Sequence, residues 1–178
     1  MVRIVKDIYS KKVNNQILEL LKITPGWYFG YDDKELNFNK DQGLALRTFD
    51  DKLKIDQLKN FDMLNLFAFT VADIVCMRIS QPFKGLKRVN YNFYHTLSKG
   101  SNHVDSTTPG CVSILYNLNK NDGYLEIDDK KYISEDSVAY VFDSAKQHRG
   151  VGSTNELRYN LNIIIHTWNL QETLVYLN

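Results

Sequence analysis

The chain has 178 residues, enough for one domain with a proper core and too short for two of ordinary size. Its composition, 43% hydrophobic and 24% charged, is that of a soluble globular protein, and 22 Lys+Arg against 21 Asp+Glu leave a formal charge of +1. That balance sets up no long-range field for nucleic acid or an acidic membrane, and two cysteines, Cys76 and Cys111, make no secreted disulfide framework.

The first residues carry charges where a signal peptide needs an apolar run, so a reducing, cytoplasmic setting is expected. Asn14 and Asn15 can cap a short helix over residues 16–22, which Pro25 and Gly26 then stop. Residues 26–31 read as a strand, residues 32–42 as a polar loop and residues 44–49 as a second strand. From residue 56 to about residue 80 the pattern is helical. At steps of about 100°, Lys59, Asp62, Asp73 and Ser80 fall in a narrow arc, with Phe61, Leu64, Phe67, Val71, Ile74 and Val75 around the rest. Such a helix is expected to be buried on most sides, against a sheet. Asn65, Asp73 and Arg78 interrupt its apolar stretch, which is too short and too polar to span a bilayer. The basic run over residues 84–88 reads as a solvated loop.

From residue 88 to residue 168 short β-rich runs follow one another, broken by turns such as Thr108-Pro109-Gly110 and Asn121-Asp122-Gly123. They make about eight strands, at the spacing of an all-β sandwich or barrel. Eight antiparallel strands in two facing sheets form a jelly roll. The expected fold is mainly β (α+β), a single domain over residues 1–178. Residues 88–168 form its jelly-roll core, and residues 1–87 supply helices packed on one sheet, leaving the opposite mouth for chemistry.

His103 and Asp105 stand two apart at the end of a strand signal. Alternate side chains of an extended chain share a side, so both can reach one metal. With four histidines in the chain this motif alone is weak, and would arise by chance in roughly one such chain in four. His148, just after an apolar run over residues 138–142, adds a second imidazole. Two imidazoles and one carboxylate on one face of a cation leave adjacent positions open, the arrangement of non-haem Fe(II) oxygenases. Two unrelated surface or core histidines are the competing explanation. Arg158 begins the last strand signal, in which Leu157, Tyr159, Leu161, Ile163 and Ile165 share one face and Arg158, Asn160 and Asn162 the other. Three polar side chains on one face suggest a polar cavity, with the guanidinium suited to a carboxylate. An exposed edge strand is the alternative.

Together, His103-x-Asp105, His148 and Arg158 in this run of strands resemble the Fe(II)/2-oxoglutarate-dependent oxygenase superfamily, most closely its prolyl 4-hydroxylase-like branch. Residues 111–120 resemble the branch's third core strand. Gly123-Tyr124-Leu125-Glu126 resembles its Gly-Gly-Glu-Leu turn, with Tyr124 in place of the second Gly. The resemblance implies a double-stranded β-helix of cupin-like form, with His103, Asp105 and His148 as catalytic residues and Fe(II) ligands. It also implies that Arg158 clamps the distal carboxylate of 2-oxoglutarate. Co-substrate and dioxygen would fill the remaining metal positions, and decarboxylation of 2-oxoglutarate to succinate would drive attack on an unactivated C–H bond.

The chain departs from the branch at two places. Members often carry Ser or Thr two residues after the arginine, and here it is Asn160, whose amide can still donate to a carboxylate. Relatives often offer a Tyr hydroxyl to 2-oxoglutarate where this chain has Asn117. That contact falls to Tyr94 or is missing, and Tyr94 reads equally well as a plain core aromatic. The branch implies hydroxylation of a peptidyl side chain, proline first. Nucleobase demethylation by the same iron chemistry is the enzymatic alternative, and near-neutral charge counts against it. A non-enzymatic jelly-roll binding or structural module is the other. His95 and His166 read as packing or surface residues, and Cys111 as a small buried hydrophobe. Residues 32–42 are either a lid over the substrate, with Tyr31, Leu36 and Phe38 beneath, or an ordinary connector.

Overall fold

Among the described residues, apolar helical segments in the first half and alternating polar and apolar residues in the second fold into two helices laid on the larger of two facing sheets. The computed structural model describes residues 1–29, 43–52 and 61–167. In chain order the elements are β1 (Arg3–Val5), α1 (Lys11–Ile23), β2 (Tyr28–Phe29), β3 (Leu44–Asp50), α2 (Asp62–Arg78), β4 (Gly85–Tyr94), β5 (Cys111–Asn117), β6 (Tyr124–Ile127), β7 (Lys130–Ile133), β8 (Ala139–Asp143), β9 (His148–Val151) and β10 (Arg158–His166). Seven strands form a large sheet in the order β1-β8-β5-β10-β4-β3-β2, and β7-β6-β9 form a small one. This is the jelly roll, or double-stranded β-helix, expected from the strand spacing. Among the described residues no helix is long and apolar enough to cross a membrane. The segment over residues 32–42 lies outside the described residues.

Helix α1 begins earlier than expected. Ser10 is its N-cap, its side-chain oxygen accepting from the Val13 amide, and Asn14 lies inside the first turns. Asn14 cannot cap because its side chain is already committed. Its Nδ2 donates to Asp136 at 2.5 Å and Ser137 at 3.0 Å, and its Oδ1 accepts from the Tyr116 hydroxyl at 2.7 Å. Helix α2 buries Leu64, Phe67, Ala68, Val71, Ala72, Val75 and Cys76. The expectation of burial on most sides does not hold, since Met63, Leu66 and Met77 are exposed. A single sheet covers only one side of a helix, and here it covers the side rich in small and β-branched residues.

The core has two layers. Leu21 and Val71, from the helices, meet Tyr91, Ile114, Tyr116, Leu161, Ile163 and Ile165 on the outer face of the large sheet. Leu115, Tyr140 and Phe142, on its inner face, meet Leu125 and Ile127 of the small sheet. Each such aliphatic or aromatic side chain contributes about 1.5–3 kcal/mol by burial. The same alternation turns polar residues inward. Cross-strand partners point to one side of a sheet. Arg158 pairs with Tyr94, Asn160 with Asn92, Asn162 with Asn90, and Ile164 with Arg88. On the other flank of β10, Asn162 pairs with Leu115, Ile164 with Ser113, and His166 with Cys111. Residues 84–88 are therefore not a solvated loop. Most of them open β4, and Arg88 joins the polar inner row.

Candidate metal centre

His103 and His148 are held together by backbone before any metal is considered. The His103 amide donates to the His148 carbonyl at 3.0 Å, and the His148 amide donates back at 2.9 Å. This reciprocal pair fixes two α-carbons at short range, and the ring centroids lie 4.4 Å apart. Two residues on, the Asp105 amide donates to the Ser144 carbonyl at 3.0 Å, setting its carboxylate between the two imidazoles. His103 Nε2 is 3.9 Å from Asp105 Oδ1, and His148 Nε2 is 3.5 Å from Oδ2. One donor atom from each of the three residues lies within 4.8 Å of the others.

The imidazoles are oriented as metal ligands are. His103 Nδ1 lies 3.0 Å from the Ser101 carbonyl oxygen, and His148 Nδ1 lies 2.9 Å from that of Lys146. A carbonyl oxygen only accepts, so Nδ1 carries the proton and Nε2 presents its lone pair towards Asp105. Burial, the largest influence on His148, pushes its pKa below the ordinary value; His103 adds to this and Asp105 opposes it. That direction favours the neutral ring, the form that binds metal.

Burial alone would raise the Asp105 carboxyl, yet His148, Arg88, the Ser113 hydroxyl and His103 together hold it below the usual carboxylate range. Oδ1 accepts from Arg88 Nη2 at 2.8 Å and Asn162 Nδ2 at 3.1 Å. Oδ2 accepts from Ser113 Oγ at 2.6 Å and from the same Asn162 amide at 3.2 Å. A carboxylate has about four acceptor sites. These contacts come from three donors, the Asn162 amide being shared by both oxygens, so an acceptor position is left for a cation. Arg88, with a side chain 23% exposed on a flexible stem, is the donor most able to yield to one. Ligand bonds of about 2.0–2.2 Å put neighbouring donors about 3 Å apart, so the cluster would have to close by about 1–2 Å. The donor set and its tautomers fit a divalent cation.

Beyond the cluster the inner face continues as a narrow polar cavity. Asn92, Tyr94, His103, Leu115, Leu125, His148, Gly150, Arg158, Asn160 and Asn162 line it, around a free space of about 10 Å³. That is the size of one water, so a larger guest enters only by displacing side chains. Arg158 is 0% exposed, donates from Nη1 to the Val151 carbonyl at 3.1 Å, and holds its guanidinium carbon 5.1 Å from the centre of the Tyr94 ring. Asn92 Nδ2 donates to Asn160 Oδ1 at 2.8 Å. Asn92 Oδ1, Asn160 Nδ2 and Asn162 Oδ1 are buried without a protein partner among the described residues. Buried amides in that state call for a polar guest.

Of the residues singled out from sequence, His103, Asp105 and His148 come together, and Arg158, Asn160 and Tyr94 line the cavity that adjoins them. Asn117, the cross-strand partner of Asn160, is not among the lining residues: its Nδ2 donates to the Val138 carbonyl at 3.0 Å and its Oδ1 accepts from Ser134 Oγ at 3.0 Å. Sequence reasoning missed Arg88, Ser113 and Asn92. Each sits at the same inward parity as a named residue, Arg88 and Asn92 with Tyr94 on β4, and that parity is the signal that would have found them.

No family profile matches the sequence, and no curated protein is detectably similar to it. Solved structures are similar in fold. A prolyl hydroxylase from Trichoplax adhaerens, in complex with a hypoxia inducible factor peptide fragment, superposes with a TM-score of 0.67 at 14% identity, over 93% of this chain and 83% of that one. A prolyl-4-hydroxylase from Pseudomonas putida gives 0.59 at 13% identity, over 94% and 93% of the two chains. SnoN, a non-heme alpha ketoglutarate dependent epimerase from nogalamycin biosynthesis, gives 0.66 at 11% identity, over 93% and 78%. The fold of this chain is the one shared by these 2-oxoglutarate- and Fe(II)-dependent oxygenases, prolyl hydroxylases and SnoN alike.

Proposed function

We propose that the chain is a non-haem Fe(II)- and 2-oxoglutarate-dependent dioxygenase that hydroxylates a C–H bond, with a peptidyl side chain such as proline as its substrate. One observation carries this reading. Two imidazoles and a carboxylate converge within 4.8 Å in a fold shared with such enzymes. His103, Asp105 and His148 would hold Fe(II), which with 2-oxoglutarate and dioxygen supplies the oxidising chemistry.

The rest of the work belongs to the chain. The carbonyls of Ser101 and Lys146 keep both Nε2 lone pairs turned towards Asp105, the Ser113 hydroxyl helps keep Asp105 ionised, and Asn162 helps orient it. Arg158, buried and planar, suits the distal carboxylate of 2-oxoglutarate, and the Tyr94 ring over its guanidinium limits its swing. Asn160 Nδ2 is a further donor for that carboxylate. Leu115 and Leu125 supply the apolar part of an otherwise polar wall, and burial of Arg158 strengthens its pairing with a carboxylate. The small free space means that Tyr94 or the leucines shift when the co-substrate enters.

The likeness to a prolyl hydroxylase seen with a peptide fragment supports a peptide substrate, and the likeness to SnoN supports a small molecule as the second reading. The test is succinate formation by the purified chain with Fe(II) and 2-oxoglutarate, alone and with proline-containing peptides or free amino acids, with product mass recorded. Peptide-stimulated succinate and a product heavier by one oxygen support the proposal, provided both vanish in His148→Ala. Stimulation by small molecules alone would shift the substrate, and no succinate under any condition would refute the activity.

A further inference from the structure

A second group of reactive side chains meets at the opposite end of β10 from Arg158. Cys111 and His166 are cross-strand partners, and Cys111 Sγ lies 3.7 Å from His166 Nδ1. His166 Nε2 lies 3.0 Å from Asp51 Oδ2, one residue past the end of β3. A carboxylate only accepts, so the imidazole carries its proton on Nε2 and turns the Nδ1 lone pair to the thiol. Lys87 Nζ stands 3.7 Å from the same Asp51 oxygen. Burial acts against the Asp51 charge, but His166 and Lys87 prevail and hold the carboxyl below its ordinary range. Thiol, imidazole and carboxylate in this order form the arrangement that polarises a sulfur nucleophile. The other cysteine, Cys76, sits in the helix–sheet core, where burial pushes its thiol up to about 11.

We propose that Cys111 is a nucleophilic thiol that reacts with small hydroperoxides, with His166 as its base and Asp51 as the positioning residue. Size selects the reagent. Cys111 is only 4% exposed, and it forms part of the wall of a cavity of about 280 Å³ with Gly110, Val141 and Phe142. A sulfur this buried favours small oxidants over bulky electrophiles. His166, with a side chain 31% exposed, gives the proton a route to solvent. In the reaction the thiol proton passes to His166 Nδ1 and a sulfur electron pair attacks one peroxide oxygen. The S–O bond forms, the O–O bond breaks, and the leaving oxygen takes the proton to become water or an alcohol. Sulfur is oxidised by two electrons to a sulfenic acid as the peroxide is reduced. This inference does not depend on the iron chemistry.

The experiment treats the full chain with hydrogen peroxide in the presence of a chelator, traps sulfenic acid with a cyclic 1,3-diketone, and follows both cysteines by peptide mass spectrometry. Cys111 is expected to be labelled at least about tenfold faster than Cys76, and His166→Gln and Asp51→Asn each to slow it about tenfold. Asp51→Asn changes a partly exposed side chain, so it keeps the test decisive if His166→Gln does not fold; circular dichroism checks both variants. Equal rates at the two cysteines, or a wild-type rate at Cys111 in a folded variant, would overturn the proposal.

Discussion

Replacing Ser113 by Ala removes one oxygen from a position 0% exposed, and the cost can be worked from its contacts. A hydroxyl has a single proton, and at 2.6 Å the Ser113 proton goes to Asp105 Oδ2. The 3.0 Å contact between Ser113 and Ser144 must therefore be donated by Ser144. Ser113→Ala leaves Oδ2 with the Asn162 amide at 3.2 Å and strips Ser144 of an acceptor. A hydrogen bond to a buried charge is worth about 1.5–3 kcal/mol, so the metal-free variant should lose about 2 kcal/mol of unfolding free energy at neutral pH. Its pH dependence has a definite sign. The folded pKa of Asp105 is lowered, so its stabilisation is complete above the unfolded carboxylate value and fades as pH falls through the folded one. Without Ser113 that folded value rises, and the gap between variant and wild type must shrink in acid. Urea unfolding followed by fluorescence at several pH values measures both. A loss below about 0.5 kcal/mol at neutral pH, the size of an ordinary surface change, would mean that the Ser113 bond does not stabilise the Asp105 charge, as would a gap that persists unchanged into acid.

Arg158→Ala should weaken 2-oxoglutarate binding by about 2–4 kcal/mol and leave iron affinity nearly unchanged, as calorimetric titration would show. In Gly123→Ala the new Cβ would stand 2.8 Å from Arg158 Cδ and 2.9 Å from the Val151 carbonyl oxygen. Overpacking of that kind costs about 1–3 kcal/mol, and because it pushes on Arg158 it should also lower 2-oxoglutarate affinity; unfolding and binding measured on one sample check the two together. Asp122 accepts from the Ser153 and Thr154 hydroxyls and the Thr154 amide, which hold its carboxyl down to about 2. Its folded pKa is depressed, so its stabilisation is present above the ordinary carboxylate value and is lost as pH falls towards 2. An acid-unfolding series should show Asp122→Asn with a flatter pH dependence in that window.

The sheet was legible because its two periodicities are clean. The strand expected over residues 44–49 is found at Leu44–Asp50, and the alternation from Arg158 to Ile165 separates an apolar face from a polar one, as the burial of Leu161 and Ile163 in the helix-side core shows. Local rules failed where a distant partner had prior claim. Asn14 looks like a cap, but Tyr116, Asp136 and Ser137 occupy its amide, and Ser10 takes the role. Arg88 looks like part of a solvated basic run, but a strand brings it to Asp105 across 17 residues. Among the candidate site residues, two-residue spacing was enough to suggest that His103 and Asp105 share a side. The reciprocal backbone pair that sets His148 beside them belongs to the fold, and so does the engagement of Asn117 with Ser134 and Val138. Cys111, read as a small buried hydrophobe, is indeed buried, but its cross-strand neighbour His166 lies far away in sequence and no local pattern connects them.

The proposed assignment of His103, Asp105 and His148 to the ferrous ion that 2-oxoglutarate binds is open to an anaerobic calorimetric titration. Fe(II) is titrated into the metal-free chain, then 2-oxoglutarate, with wild type run beside Asp105→Ala and His148→Ala. The expected result is one Fe(II) per wild-type chain, 2-oxoglutarate bound tightly only after the metal, and loss of both steps in either variant. Stoichiometric Fe(II) binding that survives in folded Asp105→Ala and His148→Ala, or its absence from the wild type, would contradict it.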